Sequence, residues 1–253
     1  FRRVLFRSIG YGPLETRSIN KWLCGTDTLT SDPGTLCPDG RVPKRFVVQR
    51  IYHKNGNTMS YTDVPCGTMT YHQSHGHMHI DNWGIYTLRL QDPNDPDPTH
   101  WSIVGTGTKL AFCLLDIGSC DNSGGIYCRD DNNVPKVSNQ IPNYTIGAGS
   151  YGCSSSLQGI SNGWYDSYSS SLDGMWIDIP PGTCNGNYYI VVQLDPNQNM
   201  TELNENNNVV AVPITISNQS SAGSPVIKIS ANKPGNISSG DNITLTATAG
   251  SSY

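Results

Sequence analysis

The chain has 253 residues, enough for one substantial core and the start of a second, and carries a formal net charge of −4 with only 14% charged residues. That balance argues against a nucleic-acid surface or a patch for anionic membranes, and no apolar run reaches the length of a membrane span. The eight cysteines, scattered and never in C-x-x-C spacing, fit a disulfide framework; with abundant Gly, Asn, Ser, Thr and Tyr they point to a secreted, mainly β protein.

In chain order, Phe1 to Ser8 (FRRVLFRS) has the charge of a leader without its apolar stretch. It reads as non-native read-through, expected to stand outside the fold, so the first domain is placed at 9–216. GYGPLETR is an extended lead-in, and Lys21 to Cys37 reads as a disulfide-tied loop. Arg45 to His53 is a β-branched and aromatic strand, with a hairpin turn at Asn55-Gly56 before Thr58 to Asp63. Gly67 to Leu90 is expected to be a long or bent central strand pair. QDPNDPDPT, at 91–99, is a surface loop because proline removes ladder donors. Thr108 to Leu115 (TKLAFCLL) is the next buried strand, and Asp116 to Ser156 is loop-rich.

Farther on, Pro180-Pro181-Gly182 is a turn, Tyr188 to Leu194 a strong strand, and Val209 to Ile216 the last strand of the domain, at an edge because of Pro213. Ser217 to Ser224 is a linker by composition. PVIKISA and DNITLTATAG, within 225–253, alternate like the first strands of an immunoglobulin-like or PKD-like sandwich; this second domain is too short to close. Eight cysteines allow 105 pairings. Nearness suggests Cys24 with Cys37, Cys113 with Cys120 and Cys128 with Cys153, leaving Cys66 and Cys184 to each other.

The densest chemistry lies in Tyr71 to Asp81, YHQSHGHMHID. On a strand His75, His77 and His79 leave one face together, a tripod for a metal, whereas a helix would scatter them. The plain alternative is an exposed His-rich strand. A cupin-like iron site would want a carboxylate nearby, yet no Glu follows until Glu202. Asp81 reads as outer support for one imidazole, and imidazole-only ligation suits copper or zinc.

Three blocks in order, YHQSHGHMH, GTGTKLAFCLLDIGSC and WYDSYSSSLDGMWIDI, give the chain from about Gly12 to Ile216 a specific resemblance to the catalytic domain of the lysyl oxidases, in a form like those of bacteria. The resemblance implies a lysyl oxidase-like β-sandwich core with long disulfide-tied loops. It implies copper on His75, His77 and His79, with His72 preceding them as an outer neighbour. It implies a lysine tyrosylquinone made from Lys109 and Tyr168 with copper and O₂, and Asp166 as the general base. On that basis the chain is expected to oxidise primary amines, peptidyl lysine or small amines, to aldehydes with release of H₂O₂ and ammonia.

ELNENNNVV resembles the family's calcium segment, with Glu202, Asn204, Asn207 and Asn208 as oxygen donors. Ser74, Trp164 and Gly174 stand where animal members carry cysteines, so a different bond pattern is implied. Taken on residues alone, Lys109 is a surface lysine, Tyr168 a packed aromatic with Tyr165 as competitor, and Asp166 a turn cap. A metal-binding or adhesive module without the quinone, and a zinc hydrolase, are the alternative functions.

Overall fold

The computed structural model describes residues 3–144, 146–147, 149–217, 219, 226–231 and 245–250. Among them the chain is mainly β. The strands are β1 (Arg3–Ser8), β2 (Leu14–Cys24), β3 (Asp27–Leu29), β4 (Lys44–Asn55), β5 (Thr58–His72), β6 (His77–Ile80), β7 (Gly84–Leu90) and β8 (Ser102–Thr106). There follow β9 (Gly118–Ser119), β10 (Leu157–Ile160), β11 (Trp164–Ser169), β12 (Gly186–Leu194), β13 (Val209–Ile216), β14 (Val226–Ala231) and β15 (Leu245–Gly250). No helix among the described residues is long and apolar enough to cross a membrane.

The chain divides into two compact units. One comprises Phe1–Tyr86, Gly107–Ile177 and Val192–Val210; the other comprises Thr87–Thr106, Asp178–Val191 and Ala211–Tyr253. The first unit contains the sheet of order β10-β2-β4-β5-β6, with β3 beside β2, and the small sheet β1-β11-β9. The second is built around a sheet of order β13-β12-β7-β8. β13 is an edge strand there, as Pro213 requires, since proline offers no N–H to a further neighbour.

Branched and aromatic residues along β4 make it the centre of the large sheet. Val47 and Val48 are both buried although they are adjacent, because the register against β5 shifts between Phe46 and Val48. Pro65, opposite Val48, sits at that shift, where a missing N–H costs least. The hairpin turn is Gly56-Asn57, one residue beyond the expected pair: Asn55 and Thr58 are the closing partners, and Gly56 takes the positive φ of 58°.

Residues 3–8 correct the expectation that they stand outside the fold. β1 runs antiparallel to β11 from Arg3 opposite Ser169 to Ser8 opposite Trp164. Phe6, 2% exposed, is ringed by Trp83, Phe112 and Tyr168 with centroids 5.5–5.6 Å away. The alternation of Val4 and Phe6 inward supplies the apolar face that makes this a strand.

Lys21 to Cys37 is also not simply loop, since β2 runs through Cys24 and β3 pairs back on it. Thr108–Leu115, by contrast, is no strand. It is an extended segment held by single bridges, Gly107 to Ile177 and Phe112 to Ile80.

The disulfides are Cys24–Cys37, as expected, with Cys113–Cys153 and Cys120–Cys128 in place of the nearest-neighbour pairs Cys113–Cys120 and Cys128–Cys153. Cys66 and Cys184 are free thiols rather than a pair. The physical reason lies in the loop after Cys120. Cys120 N–H is held by Gly163 and its carbonyl receives Gly125 N–H, a local turn that brings Cys128 back to Cys120 and leaves Cys113 to the chain arriving at Cys153. β14 and β15 pair antiparallel from Val226 opposite Gly250 to Ala231 opposite Leu245. The GNISSG connection and most of the expected linker lie outside the described residues.

A measurement on Phe6 tests the first strand. Phe6→Ala should lower unfolding free energy in urea by about 3–5 kcal/mol, the range for emptying a fully buried phenyl site. An unchanged midpoint would place residues 3–8 outside the cooperative core.

Candidate metal and cofactor site

The histidines lie on a hairpin rather than on one strand. β5 ends at His72, β6 begins at His77, and these two are directly paired. His75 belongs to the turn between them. Its N–H and that of Gly76 both bond the His72 carbonyl, at 3.1 and 2.8 Å, and Gly76 takes a φ of 72° that a side chain would resist. Alternation therefore accounts only for His77 and His79; the turn folds His75 onto them.

The outcome brings ligand nitrogens together: those of His72, His75 and His79 all lie within 4.8 Å of one another, with His77 beside His79. His79 Nε2 lies 3.0 Å from His77 Nε2 and 3.3 Å from His75 Nδ1. Two imidazoles bound to one ion at 2.0–2.1 Å would hold their nitrogens roughly 2.8–3.4 Å apart, so the separations fit a shared metal. His72 stacks on His79 with centroids 4.8 Å apart and an interplanar angle of 23°. Its Nδ1 is 3.1 Å from Ser74 Oγ, and an open cleft of about 510 Å³ lined by Val42, Tyr71, His72, Gln73 and Ser74 borders it.

Burial lowers the pKa of His72, His77 and His79 and so favours their neutral forms. His79 is 3% exposed and its pKa falls to about 3, first because burial penalises the imidazolium and then because Lys109 and the other three histidines repel it. Neutral imidazole is the form that ligates a metal. His79 Nδ1 is buried with no hydrogen-bond partner among the described residues.

The carboxylate beside the cluster is not the one expected. Asp81 accepts the Thr68 and Thr70 hydroxyls at 2.7 and 2.9 Å and lies 3.4 Å from Lys44 Nζ, so it braces β5 instead of an imidazole. Asp173 takes the other role: its carboxylate is 3.6 Å from His75 Nε2, on the far side of the ring from the Nδ1 that faces His79. An acid there favours the tautomer that presents Nδ1 to a metal. Asp173 escaped the sequence reading; the Asp-Gly turn after the Tyr168 block is the signal that could have found it.

The same turn covers Lys109. Gly174 sits so close that a Cβ there would lie 3.2 Å from Lys109 Cβ, and Thr108 Oγ1 donates to the Gly174 carbonyl at 3.3 Å. Burial lowers the Lys109 pKa, with Asp173 opposing. Lys109 Nζ lies over the Phe112 ring at 5.1 Å, and Tyr168 meets the same ring at 4.8 Å in a T-shaped contact. The two expected cofactor partners thus share one aromatic neighbour.

β11 turns Asp166 and Tyr168 to one inward face, as the spacing predicted. The Tyr168 hydroxyl donates to the Cys113 carbonyl. Burial raises its pKa, and the neighbouring Asp166 carboxylate adds to the rise. Asp166 is fully buried and accepts N–H bonds from Leu115 at 3.3 Å and Ser167 at 2.7 Å, so it is no exposed turn cap. Desolvation nonetheless pushes its pKa up from 3.8 to about 7.

The Asn-rich segment is arranged as a hydrogen-bonded turn. The side-chain amides of Asn204 and Asn207 donate to the two oxygens of Asp131 at 2.8 and 2.9 Å, and Asn204 Oδ1 accepts Asn206 N–H at 3.0 Å. Asn204 is thereby committed to capping the turn Glu205–Asn207. Burial raises the Glu202 pKa, while Asn208 holds it down.

Two consequences are measurable. The folded protein holds the Asp166 proton up to about pH 7 while the unfolded chain releases it near 3.8, so this group makes stability fall with rising pH between those values and leaves it flat above. Asp166→Asn should remove that slope, up to about 1.4 kcal/mol per pH unit, in urea titrations run from pH 4 to 8. Asp173→Asn should weaken Zn²⁺ or Cu²⁺ binding about tenfold in competition with a chelator, while Asp81→Asn leaves affinity within about twofold.

Residues 142–224, which include Asp166, Tyr168 and Asp173, match the family model for lysyl oxidase. The chain is 32% identical over 178 residues to the protein-lysine 6-oxidase of Gallus gallus, covering 70% of this chain and 34% of that protein. It is 32% identical over 174 residues to lysyl oxidase homolog 1 of Homo sapiens, covering 68% of this chain and 24% of that protein. With the protein-lysine 6-oxidase of Sus scrofa it shares 31% over 178 residues, 70% of this chain and 57% of that protein. The chain thus spans about a third or less of the length of the first two relatives. By the family match and by identity across two thirds of its length, the chain belongs to the lysyl oxidase family.

Proposed function

We propose that the protein is a secreted amine oxidase of lysyl oxidase type, using copper on His75, His77 and His79 and a quinone built from Lys109 and Tyr168. The overall reaction is R–CH₂–NH₂ + O₂ + H₂O giving R–CHO + NH₃ + H₂O₂, with R a peptidyl lysine side chain or a small amine. The observation that carries the reading is that Lys109, half-buried and close enough to His79 to help depress its pKa, shares the Phe112 ring with the buried Tyr168. Copper suits the donor set because imidazole binds both of its oxidation states, and the bound ion and quinone together supply electron transfer to O₂ that no amino-acid side chain offers.

The remaining work falls to the chain's own groups. Burial beside Phe112 shifts Lys109 toward its free amine, the form that can act as a nucleophile. The Cys113 carbonyl orients the Tyr168 hydroxyl. Asp166, poised to hold or release a proton near neutral pH, is the base for the substrate Cα–H. Asp173, beside His75 and Lys109, places a carboxylate at the exposed edge of the site, where it would attract a cationic amine. We do not extend the proposal to calcium, because Asn204 Oδ1 is already taken by Asn206 N–H and the Asn204 and Asn207 amides are tied to Asp131.

The test is a peptide map after aerobic incubation with copper. A peptide joining Lys109 and Tyr168, with one oxygen more and four hydrogens fewer than its parts, together with amine-dependent H₂O₂, is the expected result. Tyr168→Phe should abolish both. Metal binding without cross-link or peroxide would favour a metal-binding module of the same fold. Zinc-dependent hydrolysis with neither would favour a hydrolase.

A further inference from the structure

We propose that Gln158 is a positioning residue, the buried strut that sets the spacing between the imidazole cluster and the Lys109–Tyr168 pair. Neither the motifs nor the family comparisons single it out. Gln158 lies in β10, wholly inaccessible to solvent. Its side-chain amide spends both hydrogens on backbone carbonyls, Met78 at 2.8 Å and Ser154 at 2.9 Å, and its oxygen accepts Leu114 N–H at 3.1 Å.

Each partner belongs to a different part of the site. Met78 stands between His77 and His79 on β6. Leu114 follows Cys113, whose carbonyl orients Tyr168, in the segment that begins at Lys109. Ser154 follows Cys153, the disulfide partner of Cys113. Three stretches separated in sequence by 80, 44 and 4 residues from Gln158 are thus tied to one planar group.

No other side chain of this volume does the same. Methionine would fill the space but strand two carbonyls and one N–H in the core. Ionised glutamate keeps an acceptor for Leu114 and loses both donors. An orphaned buried group is costly, so the segments would shift to recover partners, and that shift is what would move His77 and His79 relative to Tyr168. The main chain adds a further tie, Gly159 N–H to Leu114 O at 3.0 Å, which keeps the fold closed when the side chain changes.

A control lies on the opposite side of the same residue. Thr16, also fully buried, donates its hydroxyl to the Gln158 carbonyl at 3.1 Å. Thr16→Val should cost stability while leaving the three-way link of the Gln158 side chain in place.

The inference rests on the proposed function, and the experiment separates the two. Full-length wild type, Gln158→Met, Gln158→Glu and Thr16→Val are compared for melting temperature, for the Cu²⁺ electron paramagnetic resonance spectrum, and for the fraction of chain carrying the Lys109–Tyr168 cross-link after aerobic copper loading. All are read at a temperature where circular dichroism shows the variant folded. Gln158→Met should melt lower, show an altered copper hyperfine splitting and form at least tenfold less cross-link, whereas Thr16→Val melts lower with an unchanged spectrum and yield. Gln158→Glu should recover part of the cross-link as pH falls and its carboxyl regains a donor; it replaces the methionine variant in every comparison if that variant does not fold. An unchanged spectrum, or a cross-link yield that only follows the folded fraction, would overturn the positioning role. If wild type forms no cross-link, the proposed oxidase function fails, and the copper spectra alone still decide the role of Gln158.

Discussion

One short backbone bridge governs the site. Ile80 N–H donates to Phe112 O at 2.7 Å and Phe112 N–H to Ile80 O at 3.1 Å, joining the strand that carries His77 and His79 to the segment that begins at Lys109. Both residues are essentially inaccessible to water, where a backbone pair cannot be traded for solvent bonds and its loss would leave two orphaned groups. Phe112 then offers its ring to Lys109, Tyr168, Phe6 and Tyr86. That one residue and the pair of bonds that fix it thus tie the expected Lys109–Tyr168 pair to the strand of His77 and His79.

The dryness of this centre has a consistent sign. Burial moves His79 down, Lys109 down and Asp166 up, and in each case the uncharged form gains. A divalent ion entering such a place would be its largest charge and would meet neutral donors on arrival. Asp173, exposed at the solvent edge, sets its carboxylate 3.6 Å from His75 Nε2 without burying it.

Much of this was legible in the sequence. The β class, the shared inward face of Asp166 and Tyr168, and the edge position of the strand bearing Pro213 follow from alternation and from what proline withholds. The histidine cluster was visible as composition, but its path was not: period two explains His77 and His79, while His75 arrives through a glycine-enabled turn that alternation cannot encode. The segment Thr108–Leu115 reads as a strand because it is apolar, yet it finds only single-residue bridges, so propensity was overruled by the partners available. Gln158, Asp173 and Asp131 were silent because a polar residue's importance depends on which distant groups fold against it. Beyond Cys24–Cys37 the disulfide pairings failed for a related reason, since chain proximity says nothing about the turn that returns Cys128 to Cys120.

Cys113 joins two kinds of chemistry in one residue. Its sulfur is bonded to Cys153 and its carbonyl holds the Tyr168 hydroxyl, with Phe112 and Leu114 on either side. Protein made in a reducing cytosol would keep its histidines yet lose the disulfide that anchors the residue whose carbonyl faces the tyrosine. Under the proposed function, metal uptake and formation of the Lys109–Tyr168 cross-link would then part company, and the history of a preparation, rather than its metal content, would govern how much of it carries the cross-link.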